Sequence, residues 1–282
     1  MNSPAPSVLV LVPAYNEEQR IEPMLRDYTR YFRQEYTGVF RIVVVLNGCK
    51  DNTLAVVQRV AAEYPEVSAL NFPAPIGKGG ALIEGLRLAP QADLIGYVDA
   101  DGASPPQALR RLIDLAPQAD CVIASRWLPG AVLHQSQPLL RRFTSRVFHA
   151  FVQLLFRMNI QDTQCPCKLI RRAAVEHIRP SLCIADLAFD VNLLVCLKRE
   201  GYTILETPTE WTDKQGSKVT GSLFRLSLAM LLSIVRLRVI YSPLYPWLKP
   251  LHPVAKWVYR KLLRAPPLPS EYGGDASSIT DK

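Results

Sequence analysis

Residues 7–18 read SVLVLVPAYNEE, an apolar run that ends in a proline and passes at once into polar and charged side chains. An uninterrupted apolar run of this length predicts a strand that is buried on both faces of a parallel sheet, here Ser7 to Val12. The residues from Glu17 to Gln34 have the spacing of a helix. The chain therefore begins with one strand–helix unit of an α/β fold.

The same alternation of strand and helix repeats along the chain. Arg41 to Leu46 (RIVVVL) predicts a second strand, and the residues from Asn52 to Tyr64 predict the helix that follows it. Residues 67–72, 79–88 and 93–99 (VSALNF, GGALIEGLRL and DLIGYVD) repeat the unit. This pattern predicts an α/β class with a Rossmann-like, mostly parallel sheet and helices on both faces. Ligands of such sheets bind beyond the carboxyl ends of the strands.

Polar residues follow the predicted strands at 13–17, 47–51 and 99–101. Asp99 and Asp101, one residue apart at a strand end, can share a divalent cation that in turn binds a diphosphate. An Asp-x-Asp pair alone also occurs in ordinary turns, but the first strand's polar loop favours a binding site. Residues 77–80 (GKGG) match neither GxxxxGK[ST] nor GxGxxG, which argues against a P-loop kinase or a nicotinamide-dependent dehydrogenase.

The net charge of +8 is concentrated in one part of the chain. Eight basic residues and no acidic residue lie between Leu223 and Arg264, which also contains Trp247 and Trp257. Basic residues beside apolar helix positions and tryptophans predict helices that lie on an anionic membrane surface. A protein partner or a second copy of the chain is the alternative. Nucleic acid is disfavoured as a partner, because the basic residues are interleaved with Leu, Ile and Val.

The sequence predicts three regions: an α/β domain at 1–219, basic amphipathic helices at 220–264 and a disordered tail at 265–282. It contains no run of about 20 apolar residues, as a transmembrane helix requires, and no signal peptide. The six cysteines lack the spacing of a disulfide framework or a zinc site. We therefore expect a peripheral protein on the cytoplasmic face of a membrane, with reduced cysteines.

Several motifs appear in a fixed order: VPAYNEE, GKGGAL, DADGA, DTQCPCKL (162–169), AFDVNLL (188–194) and GSK (216–218). With this order and spacing, the chain from Val8 to about Val219 resembles the family 2 glycosyltransferases. It is similar, within them, to the dolichyl-phosphate sugar synthases, and above all to the dolichyl-phosphate glucosyltransferases. The resemblance implies a GT-A fold and C-terminal amphipathic helices.

The resemblance also implies roles for individual residues. Asp162 and Asp101 match catalytic positions, and Asp99 and Asp101 match the metal ligands. The positions implied to bind the nucleotide sugar are Pro13, Tyr15, Glu17, Asn47, Lys78, Asp99, Ala100, Asp101 and Lys218. The positions implied to bind the acceptor phosphate are Arg126, Arg141 and Ser145. A lipid phosphate is already an anion near neutral pH, so we expect Asp162 to position or polarise groups rather than to accept a proton.

The activity implied is an inverting, metal-dependent transfer of a hexose, with UDP-glucose as the favoured donor and Mg²⁺ or Mn²⁺ as the cofactor. The acceptor implied is a polyprenyl or dolichyl phosphate at a membrane surface. Transfer of mannose from GDP-mannose and transfer to a non-lipid acceptor remain alternatives. A binding module without activity is another, because Asn47 replaces a family acid and Ala103 replaces a metal-binding glutamine of the mannosyl relatives.

Overall fold

The structure is a computed structural model that describes residues 4–134, 139–212, 223–242 and 245–248, with side chains for all of these except 139–143, 223–227, 246 and 248. The strands are β1 (Val8–Ala14), β2 (Phe40–Asn47), β3 (Val67–Phe72), β4 (Leu94–Tyr97), β5 (Cys121–Ser125), β6 (Val132–Leu133), β7 (Lys168–Arg171), β8 (Ile204–Pro208) and β9 (Glu210–Trp211). The helices are α1 (Ile21–Glu35), α2 (Thr53–Glu63), α3 (Gly77–Gly85), α4 (Pro106–Leu115), α5 (Leu139–Phe156), α6 (Arg172–Ile178), α7 (Phe189–Arg199), α8 (Leu223–Ile240) and α9 (Tyr245–Leu248).

Seven strands form the central sheet in the order β3-β2-β1-β4-β7-β5-β8. The strands β1 to β4 are parallel to their neighbours among themselves, and β5 is parallel to β8. Only β7 runs against both of its neighbours, β4 and β5. The expected α/β class with a Rossmann-like, mostly parallel sheet is therefore confirmed.

The first strand shows why its sequence is apolar without interruption. Leu9 and Leu11 contribute to the core on one face of the sheet, and Val8, Val10 and Val12 contribute to the core on the other. Successive side chains of a strand point to opposite faces, so a strand covered on both faces needs an apolar residue at every position.

The first helix begins four residues later than the sequence predicts. The carbonyl oxygen of Glu17 accepts hydrogen bonds from the backbone nitrogens of Arg20 (3.0 Å) and Ile21 (2.9 Å), which turns the chain before α1 begins. The Arg20 guanidinium also donates two 2.7 Å bonds to the Glu17 carboxylate. Residues 17–20 therefore belong to the loop at the sheet edge.

The helix α8 is packed on the domain along one of its faces, against α5 and α7. Ile234 and Leu237 are fully buried, and the Ser233 hydroxyl donates to the Asp186 carboxylate. Within the described parts of the chain, no helix combines the length and apolar character needed to cross a bilayer. Most of the predicted interfacial segment beyond Ser242, and all of the predicted tail, lie outside the described residues.

Candidate active site

The loops after β1, β2 and β4 lie at one edge of the sheet, because these three strands are adjacent and parallel. Asn16 adopts a positive φ of 55°, and its side-chain oxygen accepts a 2.8 Å hydrogen bond from the backbone nitrogen of Lys50. The backbone nitrogen of Glu17 donates to the Thr53 hydroxyl at 2.8 Å. These bonds join the first two loops into one rim, on which Tyr15 is 44% exposed.

Asn47 lies at the end of β2 and connects this rim to α3. Its side-chain oxygen accepts hydrogen bonds from the backbone nitrogens of Ile76 (2.6 Å) and Gly77 (2.9 Å). An acid at this position could accept the same two bonds, so asparagine preserves the support of α3 without a negative charge. The contact of Asn47 with a nucleoside, which the resemblance implies, remains a prediction.

Lys78, in the first turn of α3, forms an ion pair with Asp99, with 2.6 Å between Nζ and Oδ1. Burial opposes the charge of the lysine, but the negative charges of Asp99 and Asp190 outweigh burial and raise the pKa of Lys78. The lysine therefore stays charged beside the strand end that the sequence singles out for diphosphate binding.

Asp101 lies one residue beyond Ala100, which is buried, and its Oδ1 accepts a 2.9 Å bond from the backbone nitrogen of Ala103. Burial and the negative charge of Asp99 both raise the pKa of Asp101. A cation bound beside this carboxylate would offset both effects. The pair Asp99 and Asp101 therefore has the oxygen chemistry that suits Mg²⁺ or Mn²⁺.

A metal at this pair would need further ligands besides these two carboxylates. The described residues contain no group of three or more His, Cys, Asp or Glu side chains that could hold a metal. Cys165 and Cys167 are fully buried, and burial raises the pKa of Cys165 to about 12 and that of Cys167 well above its usual value, so both thiols are held in the neutral form. All six cysteines are free.

Arg126 and Asp162, for which the resemblance implies separate roles, form one ion-paired unit, in which Asp162 is buried and Arg126 is partly exposed. The backbone nitrogen, Nε and Nη2 of Arg126 donate to the Asp162 carboxylate at 3.0, 2.7 and 2.9 Å. Asp162 is 1% exposed, and burial opposes its charge, but the hydrogen bonds and charge of Arg126 outweigh burial and lower the pKa of Asp162. A carboxylate held as an anion in this way is a weak proton acceptor, which fits a positioning role.

A second buried ion pair lies beneath the site, and sequence reasoning assigned no role to it. Lys168 is fully buried, and its Nζ donates to Asp190 and, at 2.7 Å, to the carbonyl oxygen of Cys165. The Tyr97 hydroxyl donates to the same Asp190 oxygen. The sequence does contain a signal for this pair, since Lys168 and Asp190 are charged residues next to apolar residues in the motifs at 162–169 and 188–194. In the sequence analysis, these two motifs support only the resemblance.

Three of the predicted site residues are less fully placed. Ser145 lies half-buried on α5. Arg141 lies on the same helix, but its side chain is outside the described residues, and so is the whole of Lys218. The predicted contacts of these residues with the acceptor phosphate or the donor remain predictions.

Gly79 allows α3 to lie directly on the backbone of residues 184–186. A β-carbon at Gly79 would be 2.4 Å from the carbonyl oxygen of Ile184 and 2.7 Å from that of Asp186. The backbone nitrogen of Gly80 donates to the carbonyl oxygen of Ala185 at 3.0 Å. The position of Lys78 therefore depends on a glycine at the next residue.

We expect Gly79→Ala to lower the free energy of unfolding by about 1–3 kcal/mol, because backbone atoms must move to admit the methyl group. The displacement of Lys78 should also lower the turnover rate. Gly85→Ala in the same helix is the control, since the three atoms nearest to its β-carbon would be side-chain atoms of Leu11 rather than backbone atoms. Denaturant unfolding and steady-state rates of both variants test this, and equal losses of stability would contradict it.

The sheet order and the site at its edge define an α/β protein of the GT-A type. The chain belongs to glycosyl transferase family 2, whose family model matches residues 9–179. It is 34% identical over 222 residues to a dolichyl-phosphate beta-glucosyltransferase of Trichomonas vaginalis, in a match that covers 74% of this chain and 65% of that protein. The chain thus spans just under two thirds of that relative's length.

Two further comparisons agree on family and fold. The chain is 31% identical over 249 residues to a dolichyl-phosphate beta-glucosyltransferase of Saccharomyces cerevisiae, covering 81% of this chain and 73% of that protein. The glucosyl-3-phosphoglycerate synthase of Mycobacterium tuberculosis, solved with Mn²⁺, UDP-glucose and phosphoglyceric acid, superimposes with a TM-score of 0.63 at 17% identity. That match covers 84% of this chain and 82% of the synthase and supports the fold alone.

Proposed function

We propose that the protein is an inverting, metal-dependent glycosyltransferase that moves glucose from UDP-glucose to a polyprenyl or dolichyl phosphate. One observation carries the proposal: the ion pair of Lys78 and Asp99 lies beside Asp101 at the edge where the β1 and β2 loops meet. This arrangement occurs in a family 2 chain that is similar to dolichyl-phosphate beta-glucosyltransferases. The proposal places the protein peripherally on the cytoplasmic face of a membrane.

On the donor side, the proposed nucleoside contacts are the loop residues Pro13, Tyr15 and Glu17 together with Asn47. The ammonium group of Lys78, which Asp99 helps to keep charged, would donate hydrogen bonds to the diphosphate as negative charge develops on it. A Mg²⁺ or Mn²⁺ ion at Asp99 and Asp101 would supply further positive charge to stabilise the leaving diphosphate.

The proposed reaction is one displacement at the anomeric carbon. An oxygen of the acceptor phosphate forms a bond to this carbon while the bond to the diphosphate breaks, so the α-configured donor gives a β-linked product. The nucleoside diphosphate leaves with the electron pair of the broken bond. No base is needed for an acceptor that is already an anion, in agreement with the ionised state in which Arg126 holds Asp162. The Nη1 group of Arg126, which the pair with Asp162 does not use, is the proposed contact for the acceptor phosphate.

The test is a panel of UDP- and GDP-sugars, each incubated with a detergent-dispersed polyprenyl phosphate and with 3-phosphoglycerate as a soluble acceptor. We expect turnover of UDP-glucose with the lipid phosphate, and a β-configured anomeric carbon in the product by NMR. Turnover of GDP-mannose alone would make the protein a mannosyltransferase, and turnover with the soluble acceptor alone would contradict the lipid acceptor. Donor binding by calorimetry without any turnover would indicate a binding module.

A further inference from the structure

A cavity of about 810 Å³ lies between the ends of α5, α7 and α8, away from the candidate active site. Four of the residues that line it are basic, namely Arg157, Lys198, Arg199 and Arg238. The other lining residues are apolar or aromatic, and none that the structure describes there is acidic. A basic cavity with apolar walls matches the chemistry of a phosphate group attached to a hydrocarbon chain.

The four cations, here called the basic cluster, are held together by the protein without neutralisation. The Nζ of Lys198 donates to the carbonyl oxygen of Arg157 at 2.6 Å, and the Arg199 guanidinium lies 4.3 Å from the centre of the Tyr241 ring. Across residues 4–134, 139–212, 223–242 and 245–248, no ion pair involves any of the four. Four like charges in one cavity attract an anion.

Two exposed apolar stripes lead to the basic cluster. On α5, Val147 is 53% exposed and Leu154, which also lines the cavity, is 75% exposed. On α8, Leu228, Leu232 and Val235 are 37–41% exposed. Their spacing places them on one side of the helix, with Arg238 three residues beyond Val235. The two helices pack against each other, and Leu154 of the first stripe and Arg238 beside the second both line the cavity. The two stripes and the basic cluster are together called the α5–α8 face.

We propose that the α5–α8 face lies on an anionic phospholipid bilayer, with the apolar stripes in the interface and a lipid phosphate in the basic cluster. The proposal rests on the lipid-linked function proposed above and deepens it. Three of the four cations lie outside the C-terminal segment 223–264, so the catalytic domain itself supplies part of the membrane contact. The net charge of the cluster argues against a second copy of the chain as the occupant, because like charges would face each other.

The first test is flotation of the full chain on vesicles of phosphatidylcholine and on equimolar phosphatidylcholine and phosphatidylglycerol. We expect Arg157→Glu with Arg238→Glu to lower partitioning onto the anionic vesicles by about thirtyfold or more. Arg41→Glu with Arg111→Glu is the control, since it changes the net charge equally at exposed positions of β2 and α4. Equal losses of vesicle binding in the two double variants, or no loss in either, would contradict a lipid site at the basic cluster.

The second test addresses the apolar stripes. We expect Leu154→Asn with Leu232→Asn to weaken binding to both kinds of vesicle, while raised salt should weaken binding only to the anionic vesicles. If flotation of this double variant is unchanged, and the wild type is an oligomer whereas the variant is not, the face is a protein interface instead. Inorganic phosphate that binds the cluster in calorimetry and abolishes flotation at low concentration would indicate a site for a soluble anion.

Turnover with detergent-dispersed acceptor separates this inference from the proposed function. All variants of the α5–α8 face should retain the wild-type rate in detergent, because none of them lies at the candidate active site. If the wild type binds vesicles as expected but shows no turnover, the proposed function is contradicted and the membrane contact of the α5–α8 face is not. If turnover is normal but substitutions in the basic cluster do not change flotation, only the inference about the α5–α8 face is contradicted.

Discussion

Asp101→Asn is expected to lower the turnover rate at least about a hundredfold while the fold stays intact, because it removes a charge that stabilises the transition state. The amide oxygen of asparagine can still accept the hydrogen bond from the backbone nitrogen of Ala103. The substitution also removes a carboxylate that burial and Asp99 destabilise in its charged form. The free energy of unfolding should therefore be unchanged or higher, although the rate falls.

Steady-state rates with UDP-glucose and polyprenyl phosphate at saturating Mg²⁺ or Mn²⁺, together with thermal unfolding, measure both effects. Asp27→Asn is the matched control, since it makes the same change of charge at an exposed position of α1. A variant at Asp101 that keeps a near-wild-type rate in excess metal would remove this residue from the site. A variant that loses rate and stability together would indicate a structural role.

The strand–helix units could be predicted because the apolar pattern of each strand is visible in that strand's own residues. The alternating contributions of β1 to two cores require an apolar residue at every position, and this is visible in residues 8–12 alone. The order of the strands is not visible in this way. Nothing local in residues 168–171 indicates that β7 inserts antiparallel between β4 and β5, because pairing depends on partners far away in the chain.

For the candidate site, too, the individual residues could be predicted from the sequence, but their contacts could not. Asp99 and Lys78 could each be singled out by motif, but their ion pair depends on how α3 packs against residues 184–186. Likewise, Arg126 and Asp162 are 36 residues apart, and only the folded chain shows that one neutralises the other. A motif identifies residues that carry chemistry, whereas their charge state depends on neighbours that the sequence does not name.

The helix α8 shows how an apolar helix can serve two surfaces. Its sequence predicts a broad apolar face and basic residues, which suits an interface with lipid. The structure divides that face, because Ile234 and Leu237 pack into the domain whereas Leu228, Leu232 and Val235 remain exposed. Ser233 lies on the buried side, where its hydroxyl donates to the Asp186 carboxylate next to α7. A hydrophobic pattern alone cannot distinguish burial against protein from burial in a membrane.

The largest expected loss of stability is that of Lys168→Met, which should lower the free energy of unfolding by about 3–5 kcal/mol. The lysine is fully buried against Asp190, which is itself 3% exposed. Methionine fits the space of the lysine stem but leaves the Asp190 carboxylate in the core with the Tyr97 hydroxyl as its remaining side-chain partner. Desolvation of an unpaired charge is what makes this substitution costly.

Comparison of Lys168→Met with a double variant decides whether the unpaired charge is the cause. Lys168→Met with Asp190→Leu removes both charges, so the double variant should be more stable than Lys168→Met alone, as measured by denaturant unfolding. Arg33→Met is the control for loss of an ion pair, because Arg33 and Glu66 pair at the surface, where solvent screens the charges and the pair contributes little to stability. If the double variant is instead the less stable of the two, packing around Lys168 rather than its charge holds this part of the core. An effect of Lys168→Met no larger than that of Arg33→Met would show that Asp190 finds other partners once the lysine is gone.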